Sequence, residues 1–293
     1  MAAATSPLAA LGVAGVYINL DRSAERRTRV EGELARHGLT AGYVRFPGYD
    51  AGEADAAGSA LEPGEIGCFR SHCAALRQFA AGERHLHVAE DDIVFSSRFA
   101  AVTGELVRAG MLERYDLIFL DTVVAVGLEL VSEFRRLLER NESLAQTGAA
   151  TPVVVLDFHH HRFAGTSSYL VSRRSIARVA KLLERELAAG PTLPLDLQYG
   201  RLMQTDGLRV GCAFPFATTV RLESASETTI VGREGGEAIR FACDLLRYAF
   251  YADCDWDVAR RAIEAIAPSL FTDTQDRIIG AAFAQATRAI PRR

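Results

Sequence analysis

The sequence has no long run of lysine and arginine, no apolar run of membrane-spanning length, and no repeat of fixed period. Nucleic acid is therefore not an expected partner, since the formal net charge is −4 and the pI lies near 6.0. Because a spanning helix needs about 20 apolar residues, any membrane association is expected to be peripheral. The opening residues contain no basic segment and are not expected to act as a signal peptide.

The sequence has few cysteines, and their spacing matches neither a zinc site nor a disulfide framework. The five cysteines are odd in number and scattered, unlike the short paired spacing of a zinc site or the framework of a secreted disulfide-rich domain. They are Cys68, Cys73, Cys212, Cys243 and Cys254. This usage predicts a reducing, cytoplasmic environment.

The composition that is present is ordinary for a globular protein, with 49% hydrophobic and 24% charged residues. Apolar runs predict strands at 15–20, 43–46, 85–90, 115–121, 152–158, 165–172 and 208–216. Amphipathic segments between them predict helices at 23–38, 69–79, 97–110, 127–141 and 176–190. This alternation predicts an α/β fold, in which helices flank a mostly parallel sheet.

Two polar stretches divide the chain. Residues 47–65 are rich in Gly, Ala, Asp and Pro, and a loop of this length is often functional. Residues 223–237 resemble a linker, so we place a domain boundary near residue 230, with a main domain at 1–229 and a helical C-terminal extension at 230–293. The apolar residues of that extension would either cover the main core or form a homodimer.

Three consecutive acids, Glu90, Asp91 and Asp92, end the predicted strand "HLHVAE" and continue into "DDIVF". In an α/β sheet, ligands bind beyond the carboxyl ends of the strands. Mg²⁺ and Mn²⁺ prefer carboxylate oxygens, so the triplet is a candidate metal site. In an extended backbone Glu90 and Asp92 would point to one side and Asp91 to the other. The alternative is that the acids introduce the next helix and lie in water.

Five segments in order resemble glycosyltransferase family 25, which includes bacterial lipopolysaccharide galactosyltransferases and collagen galactosyltransferases. They are "VYINLDRSAERR" (16–27), "LEPGEIGCFRSHCAALR" (61–77), "EDDIVF" (90–95), "GTSSYLVSRRS" (165–175) and "PLDLQ" (194–198). Together they span about 14–225. The chain departs from the family at Phe69–Arg70 and in "HHHRFAG" (159–165), which leaves donor and acceptor open.

The resemblance implies a GT-A-type fold with a Rossmann-like nucleotide-binding half. It also implies an inverting, metal-dependent transfer of a hexose from a UDP-sugar, with galactose favoured, onto a hydroxyl acceptor. That acceptor would be a glycan intermediate at the inner membrane face, a natural product or a protein side chain. Mn²⁺, or alternatively Mg²⁺, would bind at Asp92, Glu90 and Asp91.

The resemblance also suggests which residues contact the nucleotide sugar. The candidates are Asn19, Leu20, Arg22, Arg26, Gly67, Ser71, His72, Glu90, Asp91, Thr166 and Ser167. Arg22, Arg26 or Arg27 would face the phosphates, although a solvated helix face explains each arginine as well. Ser71 and His72 are expected to open a helix, where Ser71 would either cap it or contact the donor.

Inversion needs a base that takes the proton of the attacking hydroxyl. Asp196 is the candidate, because it lies in the family block "PLDLQ" between apolar neighbours that would fix its position. An N-cap of a short helix is an equally good explanation for this residue.

Two other functions are compatible with the sequence. His85 and His87 lie on one face of a strand, which is the spacing of a metallohydrolase ligand pair. The adjacent His159, His160 and His161 cannot all ligate one ion, because neighbours on a strand point to opposite faces. The other rival is a non-catalytic nucleotide-sugar-binding scaffold whose helical extension recruits a partner.

Overall fold

The structure is a computed structural model that describes residues 6–222, 236–266 and 275–287. Its strands are β1 Val13–Asn19, β2 Tyr43–Pro47, β3 His85–Glu90, β4 Ile93–Phe95, β5 Leu117–Phe119, β6 Val154–Asp157, β7 Ser168–Val171, β8 Val210–Phe214 and β9 Thr218–Val220. Its helices up to residue 146 are α1 Pro7–Ala10, α2 Ala24–Arg36, α3 Glu53–Ala56, α4 Pro63–Phe79, α5 Phe99–Arg108, α6 Met111–Arg114 and α7 Leu128–Gln146. The later helices are α8 Ile176–Ala189, α9 Leu195–Asp206, α10 Gly236–Ala249, α11 Trp256–Ile266 and α12 Gln275–Thr287.

Seven strands form one mixed sheet in the order β2-β1-β3-β7-β5-β8-β6. β1 pairs in parallel with β2 and β3, and β5 pairs in parallel with β8. β7 runs antiparallel between β3 and β5, and β6 runs antiparallel to β8. The carboxyl ends of β1, β2, β3, β5 and β8 therefore share one edge. The predicted α/β class, with a mostly parallel sheet, flanking helices and C-terminal helices, is confirmed.

Helices cover both faces of the sheet, as the apolar character of β1 requires. All seven residues of β1 are buried, and they alternate between two core clusters. Val16 and Ile18 join the cluster that packs against α4, α8, α9 and α10, whereas Val13 and Tyr17 join the one that packs against α2 and α5. Gly15 is required where Tyr43 of β2 crosses β1, because a Cβ there would lie 2.6 Å from the Tyr43 ring.

Helix α4 begins earlier than predicted. Pro63 occupies its first turn, and Glu62 and Glu65 form a capping box in which the backbone N–H of Glu62 donates to the Glu65 carboxylate at 3.1 Å. Ser71 and His72 therefore lie in the interior of the helix and are buried, so the prediction that they open a helix was wrong. The physical reason is that Pro63 starts this helix instead of breaking it.

A small second sheet was not predicted. β4 pairs antiparallel with β9, with Val94 opposite Thr219, directly after the acidic triplet. The helix predicted at 97–110 begins only at Phe99 because the chain first forms this sheet. The pairing fixes the segment that follows the acids to a part of the chain about 125 residues away.

The C-terminal helices contribute to the main core. Leu245, Leu246 and Phe250 are buried, and the Phe250 ring lies 5.5 Å from that of Phe134 in α7. The α10 segment thus covers the core, one of the two roles considered for it. The predicted boundary near residue 230 lies outside the described residues, so the division into two domains stays a prediction. Within the described ranges, every helix is too short or too polar to cross a bilayer.

Candidate functional site

A cavity of about 370 Å³ opens beyond the carboxyl ends of β1 and β3. The start of α2, the segment 49–53 and the start of α4 form its walls. Nine residues proposed from the sequence line it, namely Leu20, Arg22, Arg26, Gly67, Ser71, His72, Glu90, Asp91 and Asp92. Four others, Asn19, Thr166, Ser167 and Asp196, do not line it. The sequence motifs thus converge at the edge of the sheet where α/β proteins bind ligands.

Asp91 and Asp92 converge on one guanidinium. β3 ends at Glu90 and the chain turns at Asp91, so the predicted strand alternation does not continue to Asp92 and that expectation was wrong. Arg26 lies 2.6 Å from Asp91 Oδ1 and 2.9 Å from Asp92 Oδ2. Asn19 donates to Asp91 Oδ2 at 2.6 Å. Both oxygens of Asp91 are thus occupied, and its ion pair holds the Arg26 guanidinium beside Asp92.

Asp92 retains a free oxygen. Its Oδ1 is buried and has no hydrogen-bond partner among the residues that the structure describes. Burial raises the pKa of Asp92 to about 7, because the charge of Arg26 offsets only part of the combined effect of burial, Glu90 and Asp91. A carboxylate with a buried, unpaired oxygen is the kind of group that a cation would stabilise.

Glu90 accepts a hydrogen bond on one side and lies beside the His72 ring on the other. The Thr166 hydroxyl donates to its Oε1 at 2.9 Å, and His72 Nε2 lies 3.4 Å from the same oxygen. Burial alone would raise the pKa of Glu90, but His72 and the Thr166 hydroxyl outweigh it and hold the pKa below its usual range. Glu90 is therefore an ionised carboxylate at neutral pH. Together with Asp92 it offers the hard oxygen donors that Mg²⁺ or Mn²⁺ prefers.

The arginines divide into three kinds. Arg22 is more than half exposed and pairs with Asp50 at 2.6 Å, and both residues line the cavity. An ion pair this exposed to water is weak, so another anion can replace Asp50 as the partner of Arg22. Arg26 is largely buried beside the acids. Arg27 pairs with Glu31 on the exposed face of α2 and does not line the cavity. For this arginine, the alternative of a solvated helix face is correct.

Helix α4 fixes one wall through close backbone contact. The Ser71 hydroxyl donates to the Gly67 carbonyl at 2.6 Å and accepts from the Tyr49 N–H at 2.8 Å. A Cβ at Gly67 would lie 2.5 Å from the Tyr49 carbonyl oxygen, so glycine is needed for the 49–53 segment to approach the helix. Gly67 and Ser71 therefore shape the wall that carries Tyr49, whose side chain is half exposed.

The remaining predicted residues support the cavity from outside it. Asn19 is buried, and its amide also accepts from Arg45 at 3.0 Å, so it braces Asp91 and does not face the cavity as predicted. Ser167 donates to Asp121 at 2.7 Å. Asp196 is the second residue of α9 and accepts from the Gly165 N–H at 2.9 Å, which differs from the predicted N-cap position.

Sequence reasoning missed Cys68, Asp121 and Arg247. Cys68 lines the cavity one helical turn before His72, and their i, i+4 spacing was the available signal. Asp121 lies just beyond the carboxyl end of β5, a position equivalent to that of the acids after β3, and it binds Thr218 at 2.7 Å. Arg247 of α10 donates to Asp121 and Ser167, and no local pattern could place it there.

The metallohydrolase alternative does not fit the geometry. His87 is fully buried, with Nδ1 2.6 Å from the Tyr43 hydroxyl and Nε2 2.9 Å from the Ser168 hydroxyl. Burial lowers the pKa of His87 to about 3, so the ring is neutral and both nitrogens are occupied. His85 Nδ1 accepts from the Arg173 N–H at 3.1 Å. The pair therefore offers no shared metal position.

The fold and the cavity define an α/β protein with an acidic cavity at the carboxyl edge of its sheet, where proteins of this class bind ligands. The profile of a known family, described as glycosyltransferase family 25 (LPS biosynthesis protein), matches residues 15–196, which is more than half of the chain. The chain belongs to glycosyltransferase family 25, and its class of activity is glycosyl transfer. No curated protein matches the chain significantly.

Proposed function

We propose that this glycosyltransferase is a GT-A-type, metal-dependent and inverting enzyme, which moves a hexose, with galactose favoured, from a UDP-sugar to a hydroxyl acceptor. The observation that carries the proposal is the unpartnered, buried Oδ1 of Asp92 in the cavity at the carboxyl edge of the sheet. A binding site for Mn²⁺, or alternatively Mg²⁺, at Asp92 and Glu90 follows from the donor atoms.

The chain's charges suit a nucleoside diphosphate. Arg22 and Arg26 line the cavity, and a diphosphate could replace the exposed Asp50 as the partner of Arg22. Such a leaving group gains negative charge as the glycosidic bond breaks, and a bound divalent ion would supply compensating charge. Asp91 and Asn19 would hold the Arg26 guanidinium in place for this role.

Asp196 remains the proposed base. The residue is partly exposed, its Oδ2 accepts from the Gly165 N–H at 2.9 Å, and its Oδ1 accepts from the Leu197 N–H at 2.8 Å. Thr166, the residue after Gly165, donates to Glu90. In this proposal Asp196 takes the proton of the acceptor hydroxyl, whose oxygen attacks the anomeric carbon from the face opposite to the departing diphosphate. The direction of attack gives inversion.

The cysteines bear on where the protein acts. All five cysteines are free thiols, which supports a cytoplasmic location. The acceptor would be a glycan intermediate at the inner membrane face, reached by peripheral association, or a natural product or a protein side chain. A homodimer through the C-terminal helices stays a proposal as well, although α10 already uses part of its apolar face on the core.

A thermal-shift panel of nucleotide sugars with and without Mn²⁺ tests the donor, since a ligand that binds the folded state raises the thermal midpoint. We expect a shift with one UDP-sugar that requires Mn²⁺ and is lost in Asp92→Asn. Asp257→Asn, which removes an exposed carboxylate on α11, is the matched control. Equal midpoints for all nucleotide sugars would overturn the proposal, and binding without release of UDP would favour the non-catalytic scaffold.

A further inference from the structure

One group of side chains in the cavity has a composition different from that of the acidic triplet. Cys68 Sγ, a nitrogen of His72 and a carboxylate oxygen of Glu90 all lie within 4.8 Å of one another. Cys68 and His72 are one turn apart on α4, and Glu90 faces them from the end of β3. A thiol, an imidazole and a carboxylate from two elements are the donor types of a zinc site.

His72 points an unpaired nitrogen into this group. Its side chain is 1% exposed, and Nε2 has no hydrogen-bond partner in the described part of the chain. Nε2 lies 3.4 Å from Glu90 Oε1, which is long for a hydrogen bond. Two ligands held about 2.0–2.1 Å from one tetrahedral ion would lie roughly 3.4 Å apart, so this separation suits a shared ion.

We propose that Cys68, His72 and Glu90 form a second metal site, which takes a softer divalent ion such as Zn²⁺ through a thiolate, an imidazole and a carboxylate. The Cys68 thiol loses its proton to solvent as the metal–sulfur bond forms. The sulfur approaches the other two donors by up to about 1 Å, a movement within reach of a side-chain rotation. All three residues line the cavity, so the fourth position of the ion is open to water or a ligand.

The surroundings of the three donors are those of a prepared site. His72 Nδ1 lies 2.8 Å from the Tyr169 hydroxyl oxygen, which also accepts from Tyr199 at 3.3 Å. With its proton on Nδ1, His72 donates to Tyr169 and leaves the Nε2 lone pair for the metal. The Thr166 hydroxyl orients Glu90 by its bond to Oε1. Such bonds fix the tautomer of a ligand histidine and the rotamer of a ligand carboxylate.

Glu90 belongs both to this site and to the Mn²⁺ site proposed above. A soft ion at Cys68 and His72 would therefore withdraw a carboxylate from the hard ion or bridge to it. The inference does not depend on the proposed transferase reaction, because metal binding can be measured without any nucleotide sugar. In an active preparation, excess Zn²⁺ should inhibit transfer, and Cys68→Ser should relieve that inhibition.

Co²⁺ added to the full metal-free chain is the direct test, since Co²⁺ substitutes for Zn²⁺ and a thiolate ligand gives a charge-transfer absorption. We expect this absorption at one Co²⁺ per chain, together with a Zn²⁺-dependent rise in the thermal midpoint. Cys68→Ser should abolish the absorption, and His72→Gln should weaken Co²⁺ binding by at least about tenfold. The matched control is Cys73→Ala, because Cys73 lies on the same helix but faces the Ala180 carbonyl.

No absorption in the wild-type chain, or the same absorption in Cys68→Ser, would overturn the second site. The alternative would then be a neutral His72 whose Nε2–H is directed at Glu90. A wild-type chain without the absorption that still binds a UDP-sugar with Mn²⁺ would lose the second site and keep the proposed function. A chain that shows the absorption but binds no nucleotide sugar would keep the second site and lose the proposed function.

Discussion

Two fully buried histidines stand in very different surroundings. His87 on β3 has a hydroxyl partner at each ring nitrogen and packs edge-on against Phe99 at a centroid distance of 5.2 Å. His72 on α4 has a partner at Nδ1 only, and its Nε2 faces Glu90 in the cavity. Because an unpaired buried polar atom is costly, the completed network of His87 indicates a structural role, whereas the unpaired Nε2 of His72 needs an explanation, which the proposed second metal site supplies.

The His87 pocket should give the largest measurable effect, as a loss of stability in acid. Its pKa is about 3 in the folded chain, below the ordinary value of 6.5, so only the unfolded chain binds the proton between these values. The free energy of unfolding should therefore fall as the pH falls from about 6.5 to 3, by up to about 4 kcal/mol. Denaturant unfolding of the wild type and of His87→Gln across this range measures the difference in slope.

An NMR titration of the His87 ring in the wild-type chain provides a second measurement that does not rely on a variant. The ring should stay neutral down to about pH 3. Protonation near pH 6.5 without loss of the fold would show that the pocket is open to water and would remove the contrast with His72.

Asp92→Asn should give the next largest effect, on the cavity side. We expect kcat to fall by roughly 10²-fold, about 2.7 kcal/mol, since electrostatic groups at a developing charge contribute on this scale. The thermal midpoint should stay the same or rise, because the variant removes a buried charge that Arg26 only partly balances. Steady-state kinetics and calorimetry on the same preparation measure both. A variant that unfolds while the few folded molecules stay fully active would place Asp92 among the structural residues.

Thr166→Val should have a smaller effect, confined to the cavity. It removes the hydroxyl that holds Glu90, and loss of such an orienting bond weakens metal binding by about 10-fold. Titration with Mn²⁺ in the presence of the UDP-sugar measures this change. Thr122→Val is the matched control, because its hydroxyl donates to the Ala164 carbonyl at 3.0 Å and to no other group in the described ranges. Equal losses of affinity in both variants would contradict a specific role for Thr166.

Arg22→Gln should have the smallest effect. The Arg22–Asp50 pair is exposed, so its loss should change stability by less than about 1 kcal/mol. If Arg22 contacts the donor phosphates, KM for the nucleotide sugar should rise severalfold and become less sensitive to salt, while kcat changes little. KM values measured at two ionic strengths decide this, and an unchanged KM would limit the phosphate contact to Arg26.

The sequence predicted the sheet edge better than the details of the site. Glu90 was expected at the end of a strand because the apolar run stops there, and the structure ends β3 at that residue. The turn that brings Asp91 and Asp92 together on Arg26 could not be predicted, since it depends on a helix some 65 residues earlier in the chain. Local periodicity describes one element at a time, whereas the cavity is defined by contacts between elements.

The start of α4 shows a second limit. Pro63 was interpreted as part of a loop, although proline suits the first turn of a helix as well as it suits a turn. That error moved Ser71 and His72 to a helix end and concealed the shared face of Cys68 and His72. The sequence also could not distinguish Arg26 from Arg27. Adjacent helical residues point in different directions, and only the packing of α2 decides which of the two lines the cavity.

The contact between Arg247 and Asp121 has a consequence for biosynthesis. Asp121 follows β5 near the middle of the chain, but the cation that balances its buried carboxylate is carried by α10. During synthesis, the Asp121 carboxylate would therefore stay without its balancing cation until α10 has left the ribosome. A stalled product ending at residue 222 would expose the apolar surface under α10, which marks it as a substrate for chaperones and proteases.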